Sequence, residues 1–192
     1  SLIIDGYHRT ESEINKRHKV KEIFYGGILN YSIQRFLSIG ISYYRSGFNY
    51  PFEASSVYDI SGNSFNCYSL AYKINFENIY FSGEITRNNS LASINSLQLK
   101  ITNDISTVIS IRNYPEDFFP LHSSGFAESQ TKNEFGIYTG INFKTKFGSF
   151  NFFIDQYKFP GATYYNPLPS KGREFYLNYE VKPIKKLLLT LR

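Results

Sequence analysis

Leu37-Ser38-Ile39-Gly40-Ile41-Ser42-Tyr43 is the stretch that decides the fold class. Its large apolar residues stand at every second position, and only Ser and Gly stand between them. A period of two sends successive side chains to opposite faces of a strand, so this segment builds a sheet with one greasy face and one small, polar face. The pattern repeats along the chain. Within 66–76, Tyr68, Leu70, Tyr72, Ile74 and Phe76 oppose Cys67, Ser69, Ala71, Lys73 and Asn75. Later, Phe135, Ile137, Ile141 and Phe143 oppose Glu134, Gly136, Tyr138 and Asn142, and Phe175, Leu177, Tyr179 and Val181 oppose Glu174, Tyr176, Asn178 and Glu180. Helical spacing is hard to find. The chain reads as all-β, with ten strands expected at 23–33, 36–45, 65–76, 79–87, 91–101, 105–113, 134–144, 149–158, 174–182 and 186–192, and a short one at 1–4 before them.

The connections then fix the kind of β protein. Gln34-Arg35, Glu77-Asn78, Asn103-Asp104, the stretch Lys146 to Gly148 and Pro183-Ile184-Lys185 are tight, turn-type links. The alternate links at 5–22, 46–64, 114–133 and 159–173 are long and rich in Pro, Gly, Ser and aromatics, and only Asn88-Asn89-Ser90 is short. In an antiparallel up-and-down meander this alternation gathers tight turns at one rim and long loops at the other, as in outer-membrane barrels. Hydrocarbon offers backbone groups no hydrogen-bond partner, so a spanning sheet pairs every strand and turns its apolar face outward. The expected fold is therefore an antiparallel up-and-down transmembrane β-barrel, of which about ten strands are seen. Residues 1–192 form one barrel domain or a fragment of a larger barrel. Leu37, Ile39, Ile41, Leu70, Tyr72, Ile137, Ile141 and Leu177 are expected to face lipid. Lys73, Glu84, Lys100, Arg112, Lys144, Asp155 and Glu180, with Glu174, are expected to face the lumen. Asp155 or Glu180 either lines a conduit or, the favoured reading, pairs with Lys73, Arg112 or Lys144 across the lumen. Aromatics near strand ends (Tyr31 and Phe36, Tyr43 and Tyr44, Phe76 and Tyr80, Phe143 and Phe147, Tyr157 and Phe159) are placed at the membrane interfaces. The competing architecture is a soluble β-sandwich binding module with those aromatics in its core, and the loop asymmetry favours the membrane.

Composition narrows the function classes. Of 192 residues, 42% are hydrophobic and 19% charged, with a formal charge of +5; this excludes a disordered tail, and the charged share lies below the roughly 25% of soluble domains. The lone Cys67 excludes an internal disulfide framework and a multi-cysteine metal cluster. No apolar run reaches the ~18–20 residues of a spanning helix. The opening Ser-Leu-Ile-Ile lacks the regions of a signal peptide, so either an export signal was removed or the chain is an internal piece.

Several short segments recur in a known order. Asp5-Gly6-Tyr7-His8-Arg9-Thr10-Glu11-Ser12-Glu13-Ile14 leads to Lys21-Glu22, Gly26-Gly27-Ile28-Leu29-Asn30-Tyr31 and Leu37-Ser38-Ile39-Gly40. Gly125-Phe126-Ala127-Glu128-Ser129 precedes Asn133-Glu134-Phe135-Gly136-Ile137-Tyr138-Thr139-Gly140, and Asp155-Gln156-Tyr157-Lys158-Phe159-Pro160 precedes Pro169-Ser170-Lys171-Gly172-Arg173-Glu174. Together these resemble the C-terminal outer-membrane β-barrel region of Bacteroidetes proteins that carry helix-hairpin-helix (ComEA-like) domains. The resemblance implies a bacterial outer-membrane location and, as an alternative role, a barrel associated with DNA uptake. The helix-hairpin-helix module has no counterpart among these residues, so its DNA contact falls on none of them. The final Lys186-Leu187-Leu188-Leu189-Thr190-Leu191-Arg192 lacks the terminal aromatic that closes such barrels, which points to a larger barrel.

Chemistry-bearing sets are few. Asp5 with His8, and Asp117 with His122 and Ser123, have types suited to activating water, yet stand in loops where polar residues are expected; His18 is treated likewise, and no catalytic residue is assigned. The three histidines lack paired spacing, and Glu53, Asp59, Glu116 and Asp117 form no calcium-loop pattern, so no metal and no cofactor are expected. Arg9, Lys16, Arg17, Lys19 and Lys21 form the densest basic patch, but Glu11, Glu13 and Glu22 interrupt it, and nucleic acid is not the expected partner. Phe48, Tyr50 and Phe52, then Tyr114, Phe118 and Phe119, then Phe159, Tyr164 and Tyr165, either grip a ligand or fold back as a plug. The expectation is a non-enzymatic conduit or membrane-embedded scaffold. Its partners would be outer-membrane lipid and other outer-membrane or periplasmic proteins.

Overall fold

The computed structural model describes residues 9–16, 19–55, 58–128, 131–163, 166–184 and 187–191. Ten strands follow one another: β1 (Glu22–Ile33), β2 (Leu37–Phe52), β3 (Gly62–Phe76), β4 (Ile79–Arg87), β5 (Leu91–Lys100), β6 (Ile105–Tyr114), β7 (Glu134–Thr145), β8 (Gly148–Phe159), β9 (Ser170–Ile184) and β10 (Leu187–Leu191). They form one antiparallel sheet in strict sequence order, the up-and-down meander that alternating short and long links require. β1 pairs only with β2 and β10 only with β9, so the described residues form an open sheet. One helix, α1 (Glu11–Lys16), lies in the first loop. Among the described residues, no helix is long and apolar enough to cross a membrane. The strand expected at 1–4 lies outside the described residues.

The tight turns are held by local chemistry. Gln34 and Glu77 adopt positive φ (49° and 47°), and Phe36 N donates to Ile33 O at 3.1 Å. Between β5 and β6 the Thr102 hydroxyl accepts from the Asp104 and Ile105 amides at 3.2 and 3.1 Å. Thr145 does the same for Phe147 and Gly148 between β7 and β8, at 3.1 and 3.2 Å. Short hydroxyl side chains substitute for a backbone partner where the chain reverses.

Two loops are shorter than expected. β2 continues to Phe52 and β3 begins at Gly62, so the link expected at 46–64 is confined to 53–61. Ser46 pairs with Phe65 and Gly47 with Ser64 before the register shifts, and the aromatics Phe48, Phe52 and Phe65 pack with ring centroids 5.0–6.2 Å apart. These β-forming residues extend the hairpin where Pro51 and Gly47 had signalled a loop. β9 likewise begins at Ser170, within the link expected at 159–173.

The pairing rows step along the strands. Leu37, the first residue of β2, lies in one row with Ile74, Phe81, Leu97, Ile109, Thr139, Ile154 and Phe175. Thr139 is six residues short of the end of β7 at Thr145. The turn rim therefore shifts steadily relative to the hydrogen-bonding rows, the stagger that accompanies strand tilt in curved sheets. All residues of this row but Thr139 are apolar.

Candidate functional site: the charged inner face

Cross-strand partners share a face, so the register assigns every strand side chain to one of two surfaces. Gly40, Ala71, Glu84, Ile94, Arg112, Gly136, Tyr157 and Gly172 form one row of the first face. By the same alternation Lys73, Lys100, Lys144, Asp155, Glu174 and Glu180 lie on it too. All seven expected inner residues thus share this face, called inner here. Leu37, Ile39, Ile41, Leu70, Tyr72, Ile137, Ile141 and Leu177 all lie on the other, outer face. No Asp or Glu of any strand falls on the outer face. Four aromatics expected at the interfaces, Tyr44, Tyr80, Tyr157 and Phe159, fall on the inner face instead, because each differs by an odd number of positions from an outward neighbour on its strand.

Polar inner residues satisfy one another along the wall. Ser96 and Ser110 hydroxyls are 2.6 Å apart, Asn142 Nδ2 donates to Asn151 Oδ1 at 2.5 Å, and Asn178 Nδ2 donates to Glu180 Oε1 at 3.0 Å. The Ser69 hydroxyl donates to Glu84.

The deepest site stands at the loop end of β6, β7 and β8. Arg112, Glu134 and Asp155 are 1%, 0% and 1% exposed. Arg112 Nε donates to Glu134 Oε1 and Nη1 to Asp155 Oδ1, the latter at 2.9 Å. The guanidinium lies flat over Gly136, where a Cβ would collide with it. Glycine at this register position therefore makes the room that Arg112 occupies. On its other side the guanidinium carbon sits 4.7 Å from the Phe126 ring centroid. Glu134 Oε2 accepts from the Glu128 amide at 3.0 Å, so one carboxylate ties the arginine to the loop backbone. The Glu128 carboxylate stands 4.0 Å from Arg112 Nη2. Burial, then the charges of Asp155 and Glu174, push the Glu128 carboxyl above its ordinary value, and Arg112 only partly offsets them. Arg112 Nη2 and Asp155 Oδ2 are buried without a hydrogen-bond partner, and a cavity of ≈ 370 Å³ opens beside them, lined by Ser110, Phe126, Glu128, Tyr138, Phe153, Asp155 and Glu174.

The described part of the loop after β6, residues 115–128, continues from this site across the inner face. Phe118 stacks near Tyr114 and packs with Ala92, and the Tyr114 hydroxyl donates to Phe126 O at 3.0 Å. Asn88 Nδ2 donates to Phe119 O at 2.6 Å. Phe119 and Leu121 reach the neighbourhood of Tyr44, Phe65 and the buried Cys67. His122 Nε2 then meets Glu22 Oε1 at 2.7 Å and Ser46 Oγ at 3.0 Å, with its ring against Phe24 and Tyr44. The loop leaves β6 and touches β1 and β2, so the inner face curves around it. The far end is anchored too: Asn133, at φ 53°, holds Gly161 N through Oδ1 at 2.7 Å and donates to Gly161 O at 3.1 Å.

Asp155 pairs with Arg112, one of the expected pairings, whereas Glu180 accepts from Asn178 rather than meeting a lysine. Other expectations find other partners. His122 meets Glu22 and Ser46, not Asp117 or Ser123. Asp59 accepts from Ser55 N and lies 3.7 Å from Lys132, and among the described residues no three His, Cys, Asp or Glu are grouped to hold a metal ion. Of the first basic patch, Lys19 and Lys21 are bound through their backbones to Asn49, whose Nδ2 donates to Lys19 O and whose Oδ1 accepts from Lys21 N. Asp5, His8, Arg17, His18, Tyr164 and Tyr165 lie outside the described residues. The sequence reading missed Glu134, Glu128, Phe126 and Glu22 as members of the site. Glu134 shares parity with Tyr138 and Asn142, a signal that was present, while the others depend on the path of the loop.

No family model, no curated protein and no solved structure matches this chain.

Proposed function

We propose that this sheet is wall of a bacterial outer-membrane β-barrel, non-enzymatic, serving as a conduit narrowed by loop 115–133 or as a membrane-embedded scaffold within a larger protein or complex. The observation that carries this reading is the division of charge by face: the inner surface bears acids and bases, and among the described strand residues the outer surface bears no acid and an almost unbroken apolar row from Leu37 to Phe175. Ile23, Leu29, Ile41, Phe76 and Leu177 are 72%, 71%, 55%, 57% and 58% exposed. In water so much contiguous apolar surface favours association, whereas in hydrocarbon it is the stable arrangement. One outer-face amide has its acceptor satisfied within the face. Tyr72 reaches over Gly83 to donate its hydroxyl to Asn95 Oδ1, so that amide presents no bare acceptor to lipid.

The test is a charge scan of both faces with folding in lipid bilayers as the readout. Ile39→Arg and Leu70→Arg are expected to cost roughly 2–4 kcal/mol, the penalty for Arg near the midplane of a barrel. Ser38→Arg and Ser69→Arg are expected to cost much less. Equal penalties on both faces, or recovery of the wild-type chain without detergent, would refute the membrane wall.

A further inference from the structure

Among the described residues, the only charges that the strands place on the outer face are cations, and all sit toward the loop ends. Arg45 precedes by two residues the break in β2–β3 pairing at Gly47; Arg87 ends β4; Lys158 is next to last in β8; Lys171 and Arg173 are the second and fourth residues of β9. All five are exposed, and among the described residues none is in an ion pair. Lys158 and Lys171 are direct cross-strand partners, and Gln156 with Arg173 is the next pair on that face. Like charges directly opposite each other destabilise a sheet unless an anion lies between them. Aromatic rings support the same cluster: the Lys158 ammonium is 5.1 Å from the Phe135 centroid and the Arg173 guanidinium carbon 5.9 Å from that of Phe175. Cations set above an aromatic and apolar band are the arrangement of a wall crossing from hydrocarbon into headgroups.

We propose that Lys158, Lys171 and Arg173, extended by Arg45 and Arg87, bind the phosphates of anionic lipid headgroups in the leaflet on the loop side. The inference rests on the membrane reading above. A phosphate between the two paired lysines relieves their repulsion, and Arg173 offers a planar fork to the same group. Arg45 donates through Nε to Ser64 Oγ at 2.9 Å, which leaves its terminal nitrogens for a further headgroup.

The full chain would be reconstituted in phosphatidylcholine vesicles with and without bisphosphorylated lipid A, extracted in mild detergent, and its retained lipid measured by native mass spectrometry. Wild type and a control carrying Lys73→Gln and Lys144→Gln on the inner face are expected to retain lipid A over phosphatidylcholine. The combined Lys158→Gln, Lys171→Gln, Arg173→Gln variant is expected to retain on the order of 100-fold less, from roughly fivefold per cation near a charged surface. Equal retention by this variant, or an equal loss in the control, overturns the inference while leaving the membrane reading intact. Displacement of the lipid by inorganic phosphate or by a single-stranded oligonucleotide at equal charge overturns the lipid as the source of the anion. A chain that does not enter the vesicles overturns both readings.

Discussion

Replacing Arg112 by Met tests the buried cluster most severely. Met keeps much of the length and packing of the side chain but removes every donor, leaving Glu134 at 0% and Asp155 at 1% exposure without their cation. Glu134 retains only the Glu128 amide at 3.0 Å, and Asp155 Oδ1 loses its 2.9 Å partner. Stripping one partner from a buried pair leaves an uncompensated charge and costs about 3–5 kcal/mol. Here the charge bridges wall and loop, so part of that loss is expected to appear as release of loop 115–133 rather than global unfolding. Urea titration of the bilayer-folded chain gives the total, and limited proteolysis within 115–133 gives the local share. Adding Glu134→Gln and Asp155→Asn to Arg112→Met removes the orphaned charges and is expected to recover most of the loss, with strong non-additivity among the three sites. A single variant within 1 kcal/mol of wild type, or a triple variant worse than the single, would refute a buried ionic latch at this position.

Acidification is expected to tighten the same latch. The Glu128 carboxyl is raised above its ordinary value by burial first and then by Asp155 and Glu174, so the seated loop binds the proton more firmly than the unfolded chain does. Its stabilisation is present at low pH and is lost as pH rises from the ordinary carboxylate value of 4.5 through the elevated one; Glu128→Gln should abolish this dependence, and cleavage rates of loop 115–133 against pH would check it. Cys67 is 7% exposed and lines one pocket with Phe119 and Leu121. Its labelling by a thiol reagent should be slow in the folded chain and should accelerate in His122→Ala, which frees the loop from Glu22 and Ser46; equal rates would show that the loop does not cover it.

All ten strands were expected near where they stand, and in β2, β3, β7 and β9 alternation at period two specified the facing as well; β10, Leu187-Leu188-Leu189-Thr190-Leu191, carries no such alternation. Alternation is a local property, and register is not. Nothing within 37–43 discloses that Leu37 shares a row with Phe175, or that the rim steps along the strands, since those follow from pairing across the whole sheet. Interfacial aromatics were misassigned for a related reason: in Tyr43-Tyr44 proximity to a strand end favours both residues, but the pleat admits only one to each side. The candidate site was half legible. Arg112 and Asp155 stood out as inward charges, but their closure by Glu128 and Phe126, and the meeting of His122 with Glu22 across 100 positions, arise from a loop whose path no period encodes.

The loop that leaves β6 beside the Arg112 cluster and reaches Glu22 through His122 also bears on mechanics. A meander whose strands touch only their sequence neighbours bends easily about its own rows, like a slatted blind. A strut fixed at β6–β8 and again at β1–β2 turns that ribbon into a braced arch, with its bending stiffness set by a handful of polar contacts at the two feet. Any event that lifts either foot would change the curvature of the wall as well as the opening beneath the span.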